Sequence, residues 1–251
     1  MRMTDEEIRV AALEKLTEER IHGTAVTETT PQEIDATVLA FAETLGGAPP
    51  AFVPVIEDPL GRYGWCNEGV RLKVEAAGGA PVYGWAIWEW APIMLTAEFH
   101  GVWRSPSGEL VDITPKPRRE TRIVFVADAD YAADFDFDER PGNRRRNIYG
   151  PAVRASRLAA LTARLTEPQR LYETARAEKA GLSLDGWLSR KTAPDAVSDA
   201  VDALIAAVDA FEAYYDSLGA SGYVTVDHTL TTLARKRFAA QTRMKALLKG
   251  I

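Results

Sequence analysis

The chain has 251 residues, 46% hydrophobic and 26% charged, the composition of a soluble globular protein long enough to bury a full core. Its net charge of -6 argues against general nucleic-acid affinity, and no apolar run is long enough to suggest a membrane span. The acidic start Thr4-Asp5-Glu6-Glu7 does not read as a signal peptide. A single cysteine, Cys66, leaves no internal disulfide and no multi-cysteine zinc site, which fits a reducing cytoplasm.

Thr4 with Glu7 three residues on forms a capping box that starts an amphipathic helix over 4–20. A second helix is expected over 31–45, with Pro31 at its first position and Gly46-Gly47 ending it. Pro49-Pro50 and Pro54 then enforce an extended stretch. A helix over 66–77 follows the turn Tyr63-Gly64-Trp65 and stops at Gly78-Gly79. The period changes to that of strands at 82–90, 93–104, 109–113 and 121–126.

Residues 127–150 read as a charged loop, with Asp128, Asp130, Asp134, Asp136 and Asp138 followed by Arg144-Arg145-Arg146. From 151 the chain turns alanine-rich and helical (151–180, 183–191, 195–217 and 229–249), broken near Gly181, Pro194 and Gly219–Gly222. The charge divides at the same place. Residues 1–150 hold 16 basic and 25 acidic side chains, and residues 151–251 hold 14 and 11. The expected organisation is an α+β domain over 1–150 with a helical extension over 151–251.

Three residue types suited to thiol chemistry fall in order: Cys66, His100 and Asp112. A cysteine opening a helix has free N–H groups beside its sulfur, which favour the thiolate and can receive an oxyanion. The alternative for Cys66 is a buried thiol that packs the helix on the sheet. Strand alternation puts Glu98, His100 and Val102 on one face, with Leu95, Ala97, Phe99 and Trp103 on the other. A turn centred near Pro106-Ser107 folds Asp112 back to within about a residue of His100, so that its carboxylate can hold one imidazole nitrogen. An exposed hairpin carrying a polar pair satisfies the same pattern. The other histidines, His22 and His228, lack comparable context.

The helix-opening cysteine, the strand His100-Gly101-Val102-Trp103 and the segment Asp112-Ile113-Thr114 resemble the transglutaminase-like branch of the papain-like cysteine enzymes. There the histidine strand commonly reads His-Ala-Trp-Val and the aspartate segment Asp-x-Thr. The stretch from Tyr83-Gly84-Trp85 to Thr114-Pro115, with Ile123–Val126 and the basic run of 143–147, also looks like a set of bacterial and phage proteins of unassigned function. The resemblance covers roughly 50–150. It implies a papain-like core with an antiparallel sheet, Cys66 as nucleophile, His100 as base and Asp112 as orienting acid. Gly101 departs from the usual alanine, Asn67-Glu68 follows the cysteine, and no upstream glutamine is placed to stabilise an oxyanion.

Five of the six tryptophans lie between Trp65 and Trp103. Trp65 and Trp88 are the candidates for the wall of a substrate cleft, with Glu98 a further polar group on the His100 face; the other rings read as core. A Cys/His/Asp set can also ligate zinc, but these spacings lack a paired-ligand motif. Neither a metal nor a cofactor is expected. The acidic run lacks the glycine and terminal glutamate of a calcium loop and reads as solvated. Arg144–Arg146 can cross-link that loop or meet an anionic partner. The last helix, basic on one side and apolar through Leu230, Phe238 and Met244, suits docking on the body or on a second copy. The function expected is a cysteine-dependent amide or ester hydrolase, or a transglutaminase-type acyltransferase, acting on a peptide or protein. The alternative is an inactive papain-like fold that binds a peptide or protein.

Overall fold

In a computed structural model, which describes residues 3–22, 28–192, 195–218 and 224–249, the chain is a mixed α+β protein around one antiparallel sheet. Helix α1 spans Asp5–His22 and opens on the expected box: Glu7 N–H donates to Thr4 Oγ1, and Thr4 N–H donates to Glu7 Oε2 at 2.7 Å. Helix α2 is shorter than expected, Ala36–Ala42. Residue Thr29 is bridged to Glu89 of the sheet, which keeps the chain extended, and Asp35 caps the helix through the N–H groups of Thr37 and Val38. Helix α3, Cys66–Ala77, has the expected bounds and ends at Gly78, where φ is +72°.

The sheet holds β1 (Ala51–Pro54), β2 (Ala80–Trp90), β3 (Met94–Arg104), β4 (Leu110–Val111), β5 (Arg122–Ala127) and β6 (Arg144–Asn147). Their order is β1-β5-β2-β3-β4, with β6 also on β3. One face of β2 and β3 (Trp85, Ile87, Leu95, Phe99) packs on α2 through Val38 and Phe41. The opposite face (Ala86, Val102) meets Val53 and Phe125. The acidic segment is not a merely solvated loop, because Tyr131, Phe135 and Phe137 pack against the first face.

The helical region comprises α4 (Tyr149–Arg164), α5 (Glu167–Lys179), α6 (Leu184–Ser189), α7 (Ala196–Ser217) and α8 (His228–Leu248). The helix expected over 151–180 is two helices, because Thr166 and Gln169 form a second capping box with Pro168 beside them. The breaks expected at Pro194 and Gly219–Gly222 lie outside the described residues. Helices α7 and α8 pack Val201, Leu204 and Met244 on Trp90, Ile93 and Met94 at one end of the β2–β3 hairpin. The arginine run is strand β6 rather than loop, and it ties to helices rather than to the acidic segment. Arg145 pairs with Asp209 and Glu212 of α7 at 2.5 and 2.6 Å, while Arg144 and Arg146 donate to carbonyls at the end of α2. Among the described residues, no helix is long and apolar enough to cross a membrane.

Candidate active site

The segment before α3 is fixed before the helix begins. Asp58 accepts from Leu60 N–H at 2.8 Å and pairs with Lys73 of α3 at 2.7 Å. The buried Arg62 guanidinium donates to the carbonyls of Pro59 and Gly61. Gly61 lies so close to the Ile113 carbonyl that a Cβ there would collide with it. This loop presents Cys66, 8% exposed, as the first residue of α3. The preceding residue, Trp65, gives no side-chain cap, so the N–H groups of the first turn keep their positive end beside the sulfur.

Strand β3 supplies the opposite wall. Its outer edge pairs with β6 at 94–97 and with β4 at 103–104, and among the described residues 98–102 between them has no strand partner on that side. The thiol fills this gap: Gly101 N–H donates to Cys66 Sγ at 3.4 Å. Next to it, buried His100 meets buried Asp112, Nε2 to Oδ2 at 3.1 Å. That bond leaves Nδ1 as the imidazole nitrogen free of the carboxylate.

The hairpin reaches this contact by a register other than the expected one. Pairing of Trp103 with Val111 and Arg104 with Leu110 sets Asp112 level with Val102, two positions from His100. The cause is the turn, a three-residue connection with Gly108 at φ +93°. The two side chains meet as diagonal neighbours on one face. Asp112 then leaves β3 and bridges to Val55 beyond β1, its N–H donating to Pro54 O and its carbonyl accepting from Ile56 N–H, both at 2.9 Å.

Sequence reasoning missed Lys116 and Tyr83. Lys116, only 4% exposed, places Nζ 2.6 Å from Asp112 Oδ2, the oxygen that His100 also uses. Asp112 Oδ1 accepts Thr114 N–H at 2.8 Å. A lysine flanked by Pro115 and Pro117 reads as solvated loop, and only its four-residue offset from Asp112 hinted otherwise. Tyr83 is paired with Gly101 across β2–β3, and its ring edge lies 3.2 Å from where a Gly101 Cβ would sit, a point 4.0 Å from Cys66 Sγ.

The charges inside this pocket are coupled. Burial alone lowers the proton affinity of His100, but the Asp112 and Cys66 charges outweigh burial and the opposing Lys116, pushing its pKa up to about 10. Burial raises that of Asp112, yet Lys116 and His100 hold its carboxyl well below the usual carboxylate range. Burial, then the nearby Cys66 and Glu68, raise the Tyr83 phenol.

Of the candidate cleft residues, Trp88 and Glu98 are joined, indole Nε1 donating to Glu98 Oε2 at 2.8 Å, with Lys116 Nζ 5.4 Å above the Trp88 ring. Trp65 lies under Lys15 of α1, 5.8 Å away. A cleft of about 570 Å³ has Pro81, Arg104 and Tyr131 in its wall, and another of about 390 Å³ has Lys116, Glu57 and Glu120. Neither lining includes Cys66, His100, Trp65, Trp88 or Glu98. Among the described residues, no three His, Cys, Asp or Glu side chains group in a way that could hold a metal ion. Comparison of the chain with family models, curated proteins and solved structures gives no match.

Proposed function

We propose that the chain is a cysteine-dependent acyl-transfer enzyme with a papain-like, transglutaminase-like core, cleaving an amide or ester of a peptide or protein. The observation that carries this reading is the buried His100–Asp112 pair beside a helix-opening thiol held by Gly101 N–H. Cys66 thiolate attacks the carbonyl carbon, and the uncapped N–H groups of α3 receive the oxyanion. When the carbon–nitrogen or carbon–oxygen bond breaks, the leaving group takes the proton from His100. Water or an amine then gives His100 a proton as it attacks the thioester, releasing the acyl group and restoring the thiolate beside the imidazolium. Asp112 orients the imidazole throughout.

The rival reading is a papain-like fold kept as a peptide-binding module, favoured by the small exposure of Cys66, 8%. Iodoacetamide labelling of the native protein decides between them. The enzyme reading requires fast labelling of Cys66 near pH 6, slowed in His100→Gln, and a Cys66 acyl adduct with p-nitrophenyl acetate by intact mass. Labelling only in denaturant sinks it.

A further inference from the structure

We propose that Lys116 is a fourth functional residue of this site, a positioning residue that holds Asp112 and shares its charge with His100. This inference rests on the acyl-transfer reading above. Lys116 Nζ and His100 Nε2 meet one oxygen, Asp112 Oδ2, at 2.6 and 3.1 Å, and Thr114 N–H occupies the other at 2.8 Å. Three donors from two chain segments fix the carboxylate plane, and with it the ring that Nε2 anchors. Lys116 is itself held, its carbonyl accepting from Arg20 at 3.1 Å and its ammonium lying over the Trp88 ring.

The charge pattern gives the lysine its role. With the thiolate and imidazolium formed, Lys116, Asp112, His100 and Cys66 sum to zero. Without Lys116 the group carries one excess negative charge in a buried place, and the imidazolium grips its proton harder. A general acid that grips harder is slower to protonate a poor leaving group. Other charged groups do not duplicate this: Arg20, Arg119, Glu57 and Glu120 line the cleft that Lys116 also borders, two of each sign. Facing His100 are Cys66 from α3, Asp112 and Lys116, with the Tyr83 phenol from β2 facing Cys66.

The test titrates the His100 ring by NMR in Cys66→Ser protein, where three histidines leave few resonances to assign. Lys116→Gln keeps a hydrogen-bond donor without the charge and is expected to raise the His100 midpoint by about one pH unit or more. Lys116→Arg keeps the charge and is expected to leave it within about 0.3 unit of the parent. With Cys66 present, Lys116→Gln should slow an anilide at least about tenfold more than the matching p-nitrophenyl ester. A folded Lys116→Gln with an unmoved or lowered midpoint overturns the inference, as does equal slowing of both substrates. If Lys116→Gln does not fold, Lys116→Arg decides: a preserved midpoint and anilide-to-ester ratio support charge sharing, and a shift in either overturns it. A parent enzyme inert toward both substrates and iodoacetamide defeats the acyl-transfer reading alone, since the histidine midpoints are read independently.

Discussion

Two cations are buried along strand β3, and they are compensated in opposite ways. Arg145 of β6, with 5% of its side chain exposed, faces two carboxylates, Asp209 and Glu212. Lys116, 4% exposed, faces one carboxylate that it must share with His100. Arg145 is over-supplied with partners that reach solvent, since Asp209 is 47% and Glu212 31% exposed, so the pair behaves as a clamp. Lys116 also borders the cleft that Glu57 and Glu120 line, but the carboxylate it touches is fully buried, and a protonated His100 beside that carboxylate is balanced only by an ionised Cys66. Stability alone gains nothing from two cations sharing one buried carboxylate. On the proposed acyl-transfer reading, chemistry belongs to the β4 end of the strand, while the helical region attaches at the β6 end.

Changes at the β4 end should cost activity more than stability. Asp112→Asn is expected to lower turnover about 10⁴-fold by freeing the imidazole orientation, as loss of the orienting acid does in other triads. The measurement is kcat with iodoacetamide labelling alongside. Turnover within about tenfold of the parent breaks the assignment. At the β6 end the order reverses. Arg145→Met strands two carboxylates, but both can rehydrate, so the expected loss is about 2 kcal/mol in urea unfolding with labelling of Cys66 unchanged. A folded Arg145→Met that no longer labels makes the two ends one functional unit.

Part of this division could be read from residues alone. Helix α3 was legible because glycines bracket it, and α1 because Thr4 and Glu7 announce its start. Strand β6 was not, because Arg144-Arg145-Arg146-Asn147 has no apolar alternation; it becomes a strand by pairing with β3 while its guanidiniums reach α7 and α2. The nearness of His100 and Asp112 was legible, but the register was missed, since turn length decides it and Gly108 adds a residue. Lys116 was hidden because burial of a lysine depends on a partner set by tertiary structure.

The acidity of the pocket makes a smaller prediction about stability. A histidine whose folded pKa is raised from 6.5 to about 10 adds stability that is complete below about 6.5 and lost as pH rises toward 10. In the parent protein the Cys66 charge contributes to that rise after the Asp112 charge. Cys66→Ser removes the sulfur's share of the rise and leaves the share of Asp112. Its unfolding free energy should fall with pH above about 6.5 by at most about 1.4 kcal/mol per unit, the window closing before 10. The carboxyl of Asp112 is shifted the other way, so its contribution is present above about pH 4 and lost as pH falls through its depressed value. Adding His100→Gln should flatten the alkaline slope. A slope that survives that change belongs to another group.

Gly101 offers the finest probe. A Cβ at this position would lie 3.2 Å from Tyr83 Cε1 and 4.0 Å from Cys66 Sγ, so the tyrosine ring must yield by a few tenths of an ångström while the sulfur need not move. Overpacking costs stability, and the stiffer backbone of alanine returns some of it. Gly101→Ala should therefore change stability by about 1 kcal/mol or less. Its N–H still donates to the sulfur, so Cys66 labelling should stay within about threefold of the parent. Loss of labelling in a folded Gly101→Ala would show that the Tyr83 ring, rather than the β3 backbone, sets the position of the thiol.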